Sequence, residues 1–356
     1  MKCKLSDICD FRKGKVEVEN LNTKNYISTE NMLPNKSGIT EATSLPNVSS
    51  TQEYKNGDVL VSNIRPYFKK IWQARYDGGC SNDVLVFVPK STTDRDFLYY
   101  LLAYDDFFTY SMATSKGTKM PRGDKTSIMQ YEVPMLDFCT QKKIASVLKS
   151  LDEKIELNNA INENLEQQAQ AIYCDMFITN ANPSWQLGRL SDLIAVRYGK
   201  NHKKLADGIY PVYGSGGIMR YAEKPLYDKE SVLIPRKGTL NNVMYVNKPF
   251  WSVDTMFFTE MKLPNVAKFV FHFVKSKDLA SLNAGSAVPS MTTDILNDME
   301  LSIPDANTLY KFENIVAPMY QAMQQNTQQS SKLAELRDSL LPRLMSGEID
   351  VTDIQI

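Results

Sequence analysis

Residues 141–177 read QKKIASVLKSLDEKIELNNAINENLEQQAQAIYCDMF, and their core positions recur in alternating steps of four and three. Such steps place one stripe of side chains on one face of a helix and are typical of coiled coils. The pattern predicts a long helix over residues 140–178. Its core positions are Ile144, Leu148, Leu151, Ile155, Asn158, Asn162, Leu165, Ala169, Ile172 and Met176.

A second heptad pattern repeats the first near the end of the sequence, 168 residues later. Its core positions are Phe312, Val316, Met319, Met323, Asn326, Ser330, Leu333, Arg337, Leu340 and Leu344. Because a globular segment precedes each pattern, we expect the order head, helix, head, helix. The expected boundaries are 1–139 and 179–306 for the heads, 140–178 and 307–346 for the helices, and 347–356 for a tail that docks on the first head.

The two heptad helices are predicted to pair antiparallel within one molecule. Positions whose numbers sum to 488 then face each other, so Asn158 meets Ser330 and Asn162 meets Asn326. A slip of one heptad would place these amides against methionines. Each amide group left without a hydrogen bond would then destabilise the helix pair by about 1–3 kcal/mol. The polar layer therefore selects the register, as a buried Asn does in simpler coiled coils. The alternative is a heptad helix that dimerises with a second molecule.

Two residues disturb this helix pair. Arg337 faces Leu151, and we expect its stem to lie along apolar surface with the guanidinium in water. Pro318 lies inside the second pattern and should either kink that helix or mark its true start. A helix of about 39 residues is roughly 58 Å long, enough to hold two heads at a fixed separation.

The heads are predicted to be α/β modules of similar topology with divergent loops. They open with KLSDICDFRKGK at 4–15 and RLSDLIAVRYGK at 189–200. Asp83 in SNDV (81–84) matches Asp254 in SVDT (252–255). Both aspartates are expected to be structural residues that cap a turn. Further expected elements are strands near 58–62, 83–89, 231–235 and 255–261 and amphipathic helices around 94–110 and 265–277.

Composition favours a cytoplasmic protein. Formal net charge is zero, but the head segments are mildly basic and the helices mildly acidic, as expected if only the heads meet phosphates. The five cysteines are scattered without a C-x-x-C pair, which suits free thiols in a reducing compartment. The N-terminus lacks the apolar core of a signal peptide.

Several stretches resemble the specificity subunits of type I restriction–modification systems. Residues 141–177 look like the central conserved region of that family, and KLAELRDSLLPRLMSGEIDV (332–351) is similar to its distal conserved region. In the second head, YPVYGSGGIMRY (210–221), SVLIPRKGT (231–239) and FWSVDTMFF (250–258) resemble its target-recognition domains.

The resemblance implies a DNA-binding subunit without catalytic activity. Each head would read one half of a bipartite, asymmetric DNA target. Two modification subunits would methylate adenine with S-adenosylmethionine, and two restriction subunits would add translocation and cleavage with ATP and Mg. No cofactor or metal is expected in this chain. The alternative is a scaffold or decoy that binds modification subunits through degenerate heads.

Basic and amide side chains in loops are the candidate DNA contacts, because Lys and Arg bind phosphates and Asn can pair with adenine. Any one of them alone would be read as a solvated surface residue, but clusters in matching loops of both heads favour a DNA surface. In the first head the candidates are Arg65, Tyr67, Lys69, Lys70, Lys116, Lys119, Arg122 and Lys125. In the second head they are Lys200, His202, Lys203, Lys204, Arg236, Lys237, Asn241, Asn242, Ser286 and Ser290.

Motifs for catalysis are absent from the sequence. NKPF (247–250) lacks the first proline of the D/N-P-P-Y/F motif of adenine methyltransferases, and residues 117–126 depart from the phosphate-loop spacing. YGSGG (213–217) lacks the G-x-G-x-x-G spacing and predicts a turn close to a ligand or to DNA. His202 and His272 have no paired cysteines nearby that would indicate zinc. His272 is expected on a helix surface or boundary.

Overall fold

The computed structural model describes residues 1–282 and 290–354. The chain divides into two compact units, and each unit combines a head with segments of two long helices. Unit 1 comprises Met1–Asn158 and Thr327–Ile356, and unit 2 comprises Asn159–Asn326.

The strands and helices of the first half of the chain lead into a helix of 37 residues. The strands are β1 (Lys2–Lys4), β2 (Cys9–Phe11), β3 (Lys15–Glu17), β4 (Tyr26–Ile27), β5 (Ser50–Tyr54), β6 (Val59–Ser62), β7 (Ile71–Gln73), β8 (Gly78–Cys80), β9 (Val84–Pro89) and β10 (Glu132–Pro134). The helices are α1 (Leu5–Ile8), α2 (Arg95–Ala103), α3 (Asp105–Ala113), α4 (Lys125–Ile128) and α5 (Phe138–Cys174).

The second half ends in a helix of 40 residues. Its strands are β11 (Gln186–Arg189), β12 (Ile194–Tyr198), β13 (Asp207–Gly214), β14 (Gly217–Ala222), β15 (Ser231–Pro235), β16 (Met244–Val246), β17 (Trp251–Ser252), β18 (Met256–Met261) and β19 (Glu300–Ile303). Its helices are α6 (Leu190–Leu193), α7 (Ala267–Lys275), α8 (Thr293–Asn297) and α9 (Ala306–Met345).

Sheet topology shows which parts of the heads are repeated. The first head has a sheet of order β2-β9-β6-β7 and the second has β12-β18-β15-β16, while β1–β10 corresponds to β11–β19. The remaining sheets differ, with order β3-β5-β8-β4 in one head and β14-β13-β17 in the other. They share only the short parallel pairs β4–β8 and β13–β17. The scaffold is therefore duplicated and one sheet is remodelled.

The repeated LSD motif has a capping role. The Asp7 carboxylate accepts a hydrogen bond from the Lys4 amide at 2.8 Å, and Asp192 accepts one from the Arg189 amide at 2.7 Å. These bonds satisfy an amide that the first turn of a helix leaves without a partner. The motif thus fixes the turn from strand into helix at the start of each head.

In unit 1, the first part of α5 packs against the last part of α9. Ile144 and Leu148 lie in one buried cluster with Leu344. Further along the pair, Asn158 Nδ2 donates to Ser330 Oγ at 3.2 Å. The numbers of Ile144 and Leu344 add to 488, as do those of Asn158 and Ser330, and the two segments are antiparallel.

In unit 2, the later part of α5 packs against the first part of α9. Asn326 Nδ2 donates to Asn162 Oδ1 at 2.9 Å, which is the second pair in the same register. Ala169 and Phe312 are buried in one cluster with α7 of the second head. Both helix segments therefore belong to the core of this unit.

The structure excludes one of the two alternatives for Pro318 and corrects the expectation for Arg337. The helix runs without interruption from Ala306 to Met345, so Pro318 does not mark its start. The Arg337 guanidinium is not left to water, because Nη1 lies 2.6 Å from Asp152 Oδ1 on α5. This ion pair compensates for the charge beside the apolar stripe.

Two expectations about the shorter helices were also wrong. The single helix expected around 94–110 is two helices, because Tyr104 has extended backbone between them. His272 is fully buried rather than at a helix surface. The reason is that α7 is covered on both sides, and its residues from Ala267 to Val274 are all buried.

The segment after α9 folds back onto unit 1. Val351 is buried in the cluster that contains Leu5 and Ile144. The Lys143 ammonium donates to the Thr352 carbonyl oxygen. The tail therefore contributes apolar surface to the core of the first head.

Candidate nucleic-acid interface

In the first head, the turn after β6 is joined to the loop after α3. Ile64 forms a backbone bridge with Arg122, and the Gly123 amide donates to the Asn63 carbonyl at 3.1 Å. This pairing brings residues 63–70 and 116–125 together, and we call them the first-head edge. All eight first-head candidates lie in these two segments.

The second head repeats this pairing after β15. Lys237 forms a backbone bridge with Ser290, and the Met291 amide donates to the Arg236 carbonyl at 2.9 Å. Lys237 thus occupies the place of Ile64, and Ser290 that of Arg122. The same backbone bridge therefore presents different side chains in the two heads.

Hydrogen bonds correct the expected match between Asp83 and Asp254. The Val84 amide donates to Ser81, and the Met256 amide donates to Val253, each at 2.9 Å. Asp83 therefore aligns with Thr255. Its carboxylate does not cap a turn but lies 3.0 Å from Arg122 Nη2.

Three segments of the second head meet at one surface. The Lys200 amide donates to the Ser252 carbonyl at 2.8 Å, beside the turn into β18. Asn242 Nδ2 donates to the Ser215 carbonyl at 2.7 Å. We call residues 198–204, 214–219 and 236–242 the second-head edge, which also carries Ser290.

Three cations of the first-head edge are paired with carboxylates of the same head. Besides the Arg122–Asp83 pair, Lys116 Nζ lies 2.6 Å from Asp124 and Lys69 Nζ lies 2.7 Å from Asp105. The Lys116 ammonium lowers the pKa of Asp124 to about 2, with help from Ser127. A phosphate at this edge must compete with these carboxylates.

The RPYFKK turn of the first-head edge is strained. Arg65 and Lys69 have φ angles of 50°, in the left-handed region that non-glycine residues rarely adopt. Between them Tyr67 is half-exposed and packs on Phe68, with ring centroids 4.6 Å apart. Arg65 Nε is buried without a hydrogen-bond partner among the described residues. The turn therefore holds an aromatic surface and an unsatisfied donor in place.

The other cations of the first-head edge are held differently. Lys70 Nζ donates to the Thr29 carbonyl at 2.6 Å, and burial lowers its pKa. Lys125 Nζ lies 5.9 Å from the centre of the Phe11 ring. Lys119 is exposed. Of this group, Lys119 is the side chain most open to a ligand.

Cations of the second-head edge have a different environment. Across the described part of the chain, no carboxylate lies within 4.0 Å of Lys200, Lys203, Lys204 or Lys237. All four are exposed. The Arg236 guanidinium lies over the Tyr198 ring at 5.2 Å and donates to the Asp254 carbonyl at 3.3 Å. This edge offers positive charge that no carboxylate neutralises.

The remaining second-head candidates support loops. The Asn241 amide donates to Asp278 and accepts from the Ala280 amide, each at 3.0 Å, while Asn242 holds Ser215. The Asn241 side chain is thus engaged at both its nitrogen and its oxygen, and the Asn242 nitrogen is engaged within the protein. His202 Nδ1 is buried without a hydrogen-bond partner among the described residues. Ser286 lies outside the described residues.

The sequence-based candidates omitted an apolar element of the second-head edge. Ile218 and Met219 follow the GSGG turn between β13 and β14, and both are exposed. The signal was present, because two β-rich runs flanking a Gly-rich turn are typical of a hairpin.

Side-chain geometry gives no indication of metal chemistry or of a membrane segment in the described residues. No three His, Cys, Asp or Glu side chains there are grouped to hold a metal ion. No helix of that part is both long and apolar enough to cross a bilayer.

A family model for the type I restriction modification DNA specificity domain matches residues 1–167 and 182–330. The chain belongs to this family. The two matches cover both heads, so the DNA specificity domain occurs twice. The duplicated scaffold and antiparallel helices agree with the expected fold class of two similar domains of mixed helix and sheet.

Relatives in this specificity family extend over most of the chain. The MjaIX specificity subunit of Methanocaldococcus jannaschii is 24% identical over 75% of this chain and 72% of its own length. The HindI specificity subunit of Haemophilus influenzae is 22% identical over 91% of this chain and 94% of its own. The crystal structure of a type I S subunit from M. genitalium has a TM-score of 0.59 at 18% identity and covers 97% of this chain and 96% of that one.

Membership of the specificity family fixes the general role. The chain supplies DNA-target specificity within a restriction–modification complex and assembles there with other subunits and DNA. Specificity subunits are not the catalytic components, so the chain is not an enzyme.

Proposed function

We propose that each head reads one half of a bipartite, asymmetric DNA sequence and that the chain directs adenine methylation and restriction there. The observation that supports this most is the repeated edge. The bridges Ile64–Arg122 and Lys237–Ser290 lie at the same place in two heads whose side chains differ. Two readers of one architecture with different side chains suit two half-sites of different sequence.

We further propose an assembly with two modification subunits and two restriction subunits, acting in the cytoplasm. S-adenosylmethionine, ATP and Mg would be held by these partners. The acidic helices and the basic edges support a division of labour, with protein partners on the helices and phosphates at the heads. All five cysteines are free, as suits a reducing compartment.

Long-read methylome sequencing of a host that carries this chain with its modification subunit tests the proposal. We expect one new methyladenine motif made of two unequal half-sites with unspecified base pairs between them. Exchange of residues 186–304 for the same segment of a relative should change one half-site and keep the other. A single continuous motif, or a change in both half-sites, contradicts the two-reader proposal. The absence of any motif favours the scaffold or decoy.

A further inference from the structure

The β13–β14 hairpin of the second-head edge is a two-stranded ribbon with an open tip. At Gly216 and Gly217 an added Cβ would meet no atom within 4 Å. Gly217 has a φ of 109°, which favours glycine in the turn. In the sheet β14-β13-β17, β14 is an edge strand. The ribbon therefore ends in free space.

A β-bulge redirects one side chain at this tip. Val212 pairs with Arg220, but the next residue Tyr213 pairs with Ile218, so Met219 is the extra residue. Bulges of this kind bend a strand and re-aim a side chain, often at functional sites. Met219 covers Gly214, where an added Cβ would lie 2.5 Å from the methionine sulfur. It nevertheless remains 61% exposed.

The apolar tip is flanked by unneutralised cations. Asn242 ties the turn at Ser215 to the loop that carries Arg236 and Lys237, and a Cβ at Gly238 would lie 2.8 Å from Ser215 Oγ. Val253, which packs near Gly214, is adjacent to Ser252, the acceptor of the Lys200 amide. Positive charge on two sides of an apolar tip is complementary to a groove between phosphate backbones.

We propose that the β13–β14 ribbon enters the major groove of the second half-site and that Met219, supported by Ile218, contacts a thymine methyl group there. The major groove admits a two-stranded ribbon, and thymine is the base that presents a methyl group in it. Lys200 and Lys237 then bind phosphates on either side. This inference rests on the proposed function, since it names the interaction by which the second head reads its half-site.

Deoxyuridine substitution tests the interaction with the full chain in complex with its modification subunits. The probe is a duplex with the motif defined by methylome sequencing, in which each thymine of the second half-site is replaced in turn by deoxyuridine. We expect at least one replacement to weaken binding by about three- to tenfold, the effect of removing one buried methyl group. Met219→Ser should abolish that difference while weakening binding to the thymine duplex by a similar factor.

Ile209→Ser is the matched control, because Ile209 is an exposed apolar residue on the same ribbon but away from its tip. It should keep the full sensitivity to deoxyuridine. The proposal is overturned if no replacement weakens binding, if Met219→Ser retains the sensitivity, or if the second half-site contains no A·T pair. Each of these outcomes leaves a bipartite motif intact, whereas failure of the proposed function would appear earlier, as absence of that motif.

Discussion

Arg337 on α9 and Asp152 on α5 form a half-buried ion pair, with Nη1 2.6 Å from Oδ1. The Tyr100 hydroxyl donates to the other carboxylate oxygen at 2.8 Å. Burial and this carboxylate raise the pKa of Tyr100, so the hydroxyl keeps its proton. The pair thus joins both helices of unit 1 to α2 of the first head.

Arg337→Ala should lower the free energy of unfolding by about 1–3 kcal/mol, because Asp152 keeps a partly buried charge without its cation. Arg343→Ala is the control, since its pair with Glu348 is exposed and should contribute under about 0.5 kcal/mol. Urea unfolding of the two variants measures the difference. Equal effects would show that the Arg337 pair contributes no more than a surface pair.

Asn326→Leu should destabilise unit 2 by about 1–3 kcal/mol, because it removes the donor to Asn162 Oδ1. Adding Asn162→Leu should recover stability, since two leucines can pack where two amides met. A double-mutant cycle from thermal unfolding gives the coupling free energy. Additive effects would contradict the assignment of this pair as the element that sets the register.

Lys200, Lys203 and Lys204 should bind phosphates. Their joint replacement by Ala is expected to weaken DNA binding and to reduce the slope of log K against log salt by about 0.9 for each phosphate that is no longer neutralised. Arg189→Ala is the control, because Arg189 is an exposed cation already paired with Asp298 at 2.6 Å. Fluorescence anisotropy at several salt concentrations provides the slopes, and an unchanged slope in the triple variant would place the phosphate-binding residues elsewhere.

His272 should make stability depend on pH. Burial, with a smaller contribution from Lys275, lowers its pKa from 6.5 to about 4, so the native state keeps the imidazole neutral. Between these values the unfolded state binds more protons, and the free energy of unfolding therefore falls as the pH is lowered through this window, by up to about 3 kcal/mol. Urea unfolding at pH 7 and pH 5 measures the fall, and His272→Phe should reduce it.

Tyr320→Phe distinguishes the effect of protonating His272 on stability from the effect of its hydrogen bonds. The Tyr320 hydroxyl lies 2.9 Å from Nε2, and Gln170 Oε1 lies 2.7 Å from Nδ1. The variant removes the first of these hydrogen bonds but keeps the imidazole buried. It should retain most of the pH dependence. Wild-type dependence in His272→Phe would show that another group titrates.

The helix pair could be predicted from sequence because its rule is local and periodic. A spacing of three and four residues identified the stripe, and the polar positions indicated which residues of α5 and α9 face each other. The heads offered no such rule. Asp83 was matched with Asp254 on the short motifs SNDV and SVDT, whereas the hydrogen bonds of the turns before β9 and β18 align Asp83 with Thr255.

Properties that depend on distant neighbours could not be predicted. Lys69 was identified as a cation, but its pairing with Asp105 depends on how α3 packs on the turn after β6. The burial of His272 depends on α5 and α9 covering α7. Asn241 was predicted to pair with a base, yet its side chain donates a hydrogen bond to Asp278 and accepts one from the Ala280 amide. Residue type suggested the candidates, and tertiary packing decides which of their side chains are available to a ligand.

Arg122 and Lys116 are paired with carboxylates of their own head, whereas no carboxylate of the described residues lies within 4.0 Å of Lys200 or Lys237. If both heads bind DNA as proposed, we expect the second-head edge to supply more of the salt-sensitive attraction to phosphates. At the first-head edge, part of that attraction is offset by the ion pairs that a phosphate must first displace.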